Sequence, residues 1–168
     1  LAYEGYRVLP YCWRDQTPLS NHELRMDDDV YKMRQDQSVT VTFPLVGEKA
    51  EALGLTGVNA LAWTTTPWTL PTNAALAVGP DIEYGVVSDA AGQEYLLAVD
   101  TLGAYRKELG EEATVSRTYT GRQLEGIHYD QLWDYYRDDY GPNAFRILVA
   151  DYVATGEGTG IVHQAPAY

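Results

Sequence analysis

Apolar and polar residues alternate in two stretches with the period of two expected of a half-buried strand. In Ser38 to Val46 (SVTVTFPLV), Val39, Val41, Phe43 and Leu45 stand against Ser38, Thr40 and Thr42. Val58 to Thr64 (VNALAWT) repeats the pattern and runs into Thr66-Pro67, which predicts a tight turn with Thr66 as cap and proline at the first helical position. Ala75 to Val78, Glu83 to Ser88 and Glu94 to Val99 read as further short strands, the last two joined as a hairpin through Asp89 to Gln93 with Gly92 in the turn. Val115 to Thr120, Phe145 to Ala150 and Gly160 to His163 complete the set. Tyr6 to Trp13 is rich in β-formers, but Pro10 confines it to an edge or a bend.

Helical signals are sparser. Asp100 is placed to cap a helix through about Leu109, with Leu102, Tyr105 and Leu109 on one face, Lys107 in the last turn and Gly110 as the stop. Gln131 to Tyr136 also reads as helical. Pro18 to Asp36 is polar and reads as an exposed connection, with Asp27, Asp28 and Asp29 a solvated face. Many short strands with one clear helix predict an α+β, mainly β fold: a closed or nearly closed β-barrel with peripheral helices, forming one domain over residues 1–168.

Composition narrows the function. The 168 residues are 45% apolar and 21% charged, as in globular proteins, and no apolar run is long enough to span a membrane, so no membrane partner is expected. Acids outnumber bases 24 to 12, for a net charge of -12. The excess is spread evenly, which argues against an acidic tail and disfavours gripping duplex nucleic acid by the domain's own field. One cysteine, Cys12, can build neither an intrachain disulfide nor a thiolate metal cage. With no signal-like start, the chain reads as a cytoplasmic fragment.

The common catalytic kits are missing. His22, His128 and His163 are not spaced as metal ligands, so no metal is expected, and His22 and His128 read as surface or loop residues. No G-x-S-x-G occurs. Gly156 to Gly160 lacks a following Lys and leads into a strand, which favours a turn or bulge over a phosphate loop. Tyr135, Tyr136 and Tyr140 read as packing residues before they read as base-stacking ones.

The unusual stretch is Trp63 to Asn73, WTTTPWTLPTN. One account is a β-branched strand end, a proline-started turn and two core tryptophans. The other notes that consecutive threonines point to both faces of a strand, so at least one hydroxyl faces inward and needs a polar partner, giving a polar notch at a barrel mouth.

Leu61 to Asn73, together with Gly158 to Ala167 (GTGIVHQAPA), resembles the editing domain of isoleucyl-tRNA synthetases, the connective-peptide insertion in their catalytic domain. The Pro-Trp-Thr-Leu-Pro continuation discriminates, because the valyl and leucyl enzymes typically continue with Arg-Pro. The resemblance extends more loosely over the whole chain, including Thr17-Pro18-Leu19-Ser20 and Phe43-Pro44. It implies a β-barrel that hydrolyses valine wrongly attached to isoleucine tRNA, and valyl-adenylate as well. It implies as partners the 3′ end of the mischarged tRNA, valine or valyl-adenylate, and the other domains of a parent class I synthetase, which uses ATP and Mg; this domain itself needs no cofactor.

By the same resemblance, Thr64, Thr65 and Thr66 contact the substrate carbonyl, the ribose hydroxyls and the attacking water, in roles left unassigned. Trp63 and Ala165 are expected at the substrate, Trp68 and His163 as walls of the side-chain pocket, with His163 the steric gate, and Asn73 as a polar residue affecting editing. The family also places an aspartate nine residues beyond this histidine to hold the α-ammonium, which is position 172, past Tyr168. The chain as given is therefore expected to hydrolyse valyl-tRNA poorly. Two alternatives stay open: the editing hydrolase of a sister synthetase, removing threonine, and a non-catalytic acidic β-barrel that binds a sugar or peptide.

Overall fold

The computed structural model describes residues 4–25 and 33–166. They divide into two compact units, Leu1–Asp36 and Gln37–Tyr168. In the first, β1 (Tyr11–Cys12) pairs antiparallel with β2 (Thr17–Pro18). The strand expected over Tyr6 to Trp13 is thus cut to two residues, since Pro10 has no N–H to extend the ladder and serves it only through its carbonyl, which accepts from Leu19 at 2.8 Å. The exposed connection expected from Pro18 opens with β2 and a turn over 21–25, braced by a reciprocal pair in which Ser20 N–H donates to Glu23 and Glu23 N–H to Ser20 Oγ. Asp27, Asp28 and Asp29 lie outside the described residues.

The second unit carries the strands β3 (Val39–Val46), β4 (Asn59–Thr64), β5 (Ala75–Val78), β6 (Glu83–Ser88), β7 (Glu94–Ala98), β8 (Val115–Thr120), β9 (His128–Tyr129), β10 (Arg146–Val149) and β11 (Ile161–Gln164). Its helices are short: α1 (Glu48–Ala52), α2 (Leu102–Leu109), α3 (Gly121–Leu124) and α4 (Arg137–Tyr140), with a 3₁₀ turn over Pro67–Thr72. The strands form one mixed sheet in the order β11-β5-β10-β9-β3-β4-β7-β6-β8. β5 pairs parallel with β10 and β4 parallel with β7; the other ladders are antiparallel.

The sheet curls until β11 lies beside β4. Among the described residues no ladder joins those two strands, so the architecture is a mainly β mixed sheet and not a hydrogen-bonded closed barrel. Two point contacts tie the residues just before β11 to β7 and β6. Ala98 N–H, at the end of β7, donates to Thr159 O at 2.9 Å. The Tyr84 hydroxyl, wholly buried on β6, accepts from Gly79 N–H at 2.9 Å and donates to Gly160 O at 2.7 Å. Burial pushes that phenol up to about 12.

The alternation seen in the sequence becomes two apolar layers. Phe43, Leu45, Val86 and Leu96 face the main core with Leu76, Ile147 and Ile161, whereas Leu61, Val87 and Leu97 point the other way and are covered by Leu102 and Leu109 of α2. Each fully buried side chain of this size contributes about 1.5–3 kcal/mol.

Two helical expectations change. Residues 131–136 are not helical: Trp133 and Tyr135 stack at 6.2 Å, an i, i+2 contact that a helix cannot make, and both remain exposed. The first helical turn in this stretch comes later, as α4. Tyr135 thus packs on Trp133 but stays exposed, while Tyr136 and Tyr140 stack on each other at 5.6 Å. Asp100 does not cap α2. The Thr101 hydroxyl donates to Ala98 O at 2.8 Å, so the chain turns through Val99–Thr101 before the helix begins.

Candidate functional site

β4 ends at Thr64, which is buried, and the next residues bend away from the sheet. Thr64 Oγ1 accepts the Thr66 N–H at 3.0 Å and lies 3.2 Å from Thr66 Oγ1. The inward hydroxyl anticipated from the threonine run is therefore Thr64, and its partner is the run itself. Thr66 does not cap with its side chain; its carbonyl instead accepts the Thr69 N–H and, at 2.8 Å, the Thr69 hydroxyl. The outcome is a strand end with Thr65 and Thr66 exposed on one rim.

β11 supplies the facing wall. It pairs with β5 so that His163 stands opposite Leu76, and the curl of the sheet carries it to the threonines. Between them lies a cavity of about 310 Å³ lined by Thr64, Thr65, Thr66, Thr69 and His163, with Trp63 and Ala165 at its margins. Gly158, Thr159 and Gly160 also line it. Gly158 and Gly160 have φ of +71° and +73°, and a Cβ on Gly158 would come within 2.9 Å of the Trp63 ring. The GEGTG stretch is thus a close-approach turn, as its lack of a following Lys suggested. Among the lining residues Glu157 is the one charged group.

Hydrogen-bond direction fixes the state of His163. Asn73 is buried and its amide nitrogen donates to Ala75 O at 3.0 Å, which a carbonyl can only accept, so Asn73 Oδ1 must face the Tyr129 hydroxyl, 2.6 Å away. The same amide nitrogen lies 2.8 Å from His163 Nδ1, making Nδ1 an acceptor. The proton then sits on Nε2, 3.0 Å from Thr69 Oγ1, whose own hydrogen is given to Thr66 O. Burial holds His163 below its ordinary 6.5, in keeping with a neutral ring. Burial likewise pushes the Tyr129 phenol well above its ordinary 10.0, against the smaller opposing effect of its bond to Asn73.

Of the residues singled out from sequence, Trp63, Thr64, Thr65, Thr66, His163 and Ala165 meet at this cavity. Two do not line it. Trp68 is 74% exposed on the 3₁₀ turn, so it is neither a core residue nor a wall here. Asn73 lies behind His163 and reaches the cavity only through it. Thr69, Tyr129, Glu157 and Thr159 were not anticipated. Thr69 had a signal, standing three residues past Thr66 in the same motif; Tyr129, on a two-residue strand, had none.

No family model matches the chain. Along its whole length it is 67% identical, over 192 residues, to an isoleucine–tRNA ligase of Leifsonia xyli, and 59% identical to those of Tropheryma whipplei over 177 and Mycobacterium tuberculosis over 168. The chain belongs to the isoleucine–tRNA ligase family. It spans 16–17% of the length of these ligases. The fold has its own relatives: the crystal structure of GlLeuRS-CP1 (TM-score 0.63, 16% identity, 76% of this chain and 54% of that one) and the editing domain of the P. knowlesi cytosolic leucyl-tRNA synthetase (TM-score 0.55, 14% identity, 78% and 59%). The isoleucine–tRNA ligase segment thus has a synthetase editing-domain fold, and none of its described helices is long and apolar enough to cross a membrane.

Proposed function

We propose that the chain is a single editing domain of an isoleucine–tRNA ligase, which hydrolyses valine mischarged onto isoleucine tRNA, and valyl-adenylate with it. The observation that carries this reading is the convergence of Thr64 to Thr66 and His163, about a hundred residues apart, on one hydroxyl-lined cavity. Such a site is needed because a synthetic pocket separates isoleucine from valine by only about 1–3 kcal/mol, a figure already known for isoleucine-activating enzymes and not obtained from this chain. A second, smaller pocket refuses the longer side chain by overlap.

An aminoacyl ester is labile, so a positioned water and donors for the developing oxyanion suffice, without a covalent intermediate. Thr65 and Thr66, exposed at the rim, are suited to those contacts, and His163 serves as a wall. Both His163 nitrogens are engaged, by Asn73 and Thr69, which argues against its acting as general base. The near-closure of the sheet by Tyr84 and Ala98 is read as the barrel of this fold. The negative charge favours a domain that receives only the flexible 3′ end, the tRNA body being held by other domains of a parent synthetase. The test is deacylation of valyl-, threonyl- and isoleucyl-tRNA by a chain extended past residue 172. Valine release abolished in Thr65→Ala or Thr66→Ala supports the reading. Preferential threonine release, or no release, overturns it.

A further inference from the structure

We propose that Tyr129 is a positioning residue for the editing cavity: its phenol, together with the Ala75 carbonyl, fixes the Asn73 amide, and that amide locks His163 as the neutral tautomer protonated on Nε2. What the lock does rests on the editing reading; the lock itself does not. The geometry runs in one direction only. Tyr129 O–H gives its proton to Asn73 Oδ1 (2.6 Å), Asn73 N–H to His163 Nδ1 (2.8 Å), His163 Nε2–H to Thr69 Oγ1 (3.0 Å), and Thr69 O–H to the Thr66 carbonyl (2.8 Å). Ala75 O, accepting from Asn73 at 3.0 Å, opposes the flipped amide.

The start of this chain is itself rigid. The Tyr129 ring is buried edge-on against Phe43 at 5.1 Å and Phe145 at 6.4 Å, so the phenol has no freedom to follow a moving partner. A ring fixed at both nitrogens cannot swing aside for a longer side chain, and a neutral ring does not repel the α-ammonium of an aminoacyl ester. The titratable groups around His163 are Tyr129 from β9, behind Asn73, and Glu157 across the cavity; Tyr140 from α4 turns its hydroxyl to Thr72 O.

The experiment is ¹⁵N nuclear magnetic resonance of the histidine-labelled 168-residue chain at about pH 8, where the ring nitrogen shifts report which nitrogen carries the proton. Wild type is expected to show Nε2–H with a bare Nδ1. Tyr129→Phe keeps the ring and removes one of the two bonds that orient the Asn73 amide, leaving the one to Ala75 O, and should move the tautomer ratio toward Nδ1–H by about threefold to tenfold, the size of one net hydrogen bond. Asn73→Asp, presenting an acceptor to Nδ1, should put the proton there outright and raise the His163 titration midpoint. A wild-type Nδ1–H ring, or ring shifts that Tyr129→Phe leaves unchanged, overturns the proposal. In the chain extended past residue 172, Tyr129→Phe should raise hydrolysis of isoleucyl-tRNA relative to valyl-tRNA. An extended wild type that hydrolyses no aminoacyl ester removes the editing role, while the nitrogen shifts still decide the lock.

Discussion

Replacing Tyr84 by Phe deletes one oxygen and nothing else from the core, yet it strips two backbone groups of their partner. Tyr84 is 0% exposed, and its hydroxyl serves Gly79 N–H at 2.9 Å and Gly160 O at 2.7 Å. Leaving a buried donor or acceptor unmade costs about 1–3 kcal/mol, so the two together predict a loss of about 2–4 kcal/mol after partial relaxation. For a domain whose whole stability is about 5–15 kcal/mol, this is a large fraction. Tyr119→Phe is the control. Its hydroxyl donates to Leu53 O at 2.7 Å but is only half-buried, so water replaces it and the loss should stay near 1 kcal/mol. Urea unfolding followed by tryptophan fluorescence measures both, with the slope checked for constancy. A Tyr84→Phe loss below about 1 kcal/mol, or one no larger than that of Tyr119→Phe, would mean that the hydroxyl does not tie the β11 approach to the rest of the sheet.

Three further outcomes are expected. Gly160→Ala forces a side chain at φ +73° with its Cβ 2.5 Å from Ala98 Cβ, which should cost about 2–5 kcal/mol, read as a lowered thermal midpoint; an unchanged midpoint refutes the contact. His163 is held below 6.5 when folded, so as pH drops through that value the unfolded chain takes up a proton the folded chain refuses. Its contribution is therefore complete above 6.5 and shrinks on acidification until the depressed folded value is reached, and His163→Phe should remove this part of the slope in urea midpoints between about pH 5 and 7.5. Glu94, held below 4.5 by the two-pronged bond from Arg117 at 2.8 and 2.9 Å, should lose its contribution only as pH falls below 4.5, and Arg117→Gln should flatten that acid limb without altering the neutral one.

The strands were legible where a strand has one wet face. Val39 to Val46 and Val115 to Thr120 alternate because solvent lies on one side of them, and both form within a residue of expectation. Partner choice was not legible, since which strand β5 meets depends on a chain end some seventy residues away. The two helical expectations failed for local reasons: the Thr101 hydroxyl, bonded to Ala98 O, turns the chain before α2, and the Trp133–Tyr135 stack is not a helical contact. The threonine rim and His163 were visible through their motif and meet at one cavity. Trp68 misled because nothing in Pro-Trp-Thr says which way the turn projects the ring. Tyr129 reaches Asn73 through tertiary placement alone, and local pattern carries no trace of it.

β5 has consequences for how the molecule is made. All four of its residues, Ala75 to Val78, are buried, and its only ladders in the described sheet are to β10 and β11, whose residues begin at Arg146. During synthesis at about 5–20 residues per second, this apolar segment waits on the order of 3–14 seconds with both edges unsatisfied. An interval of that length invites pairing with another nascent chain, so the yield of native protein should depend on ribosome speed across residues 79–146 and on holdase capture of that one segment.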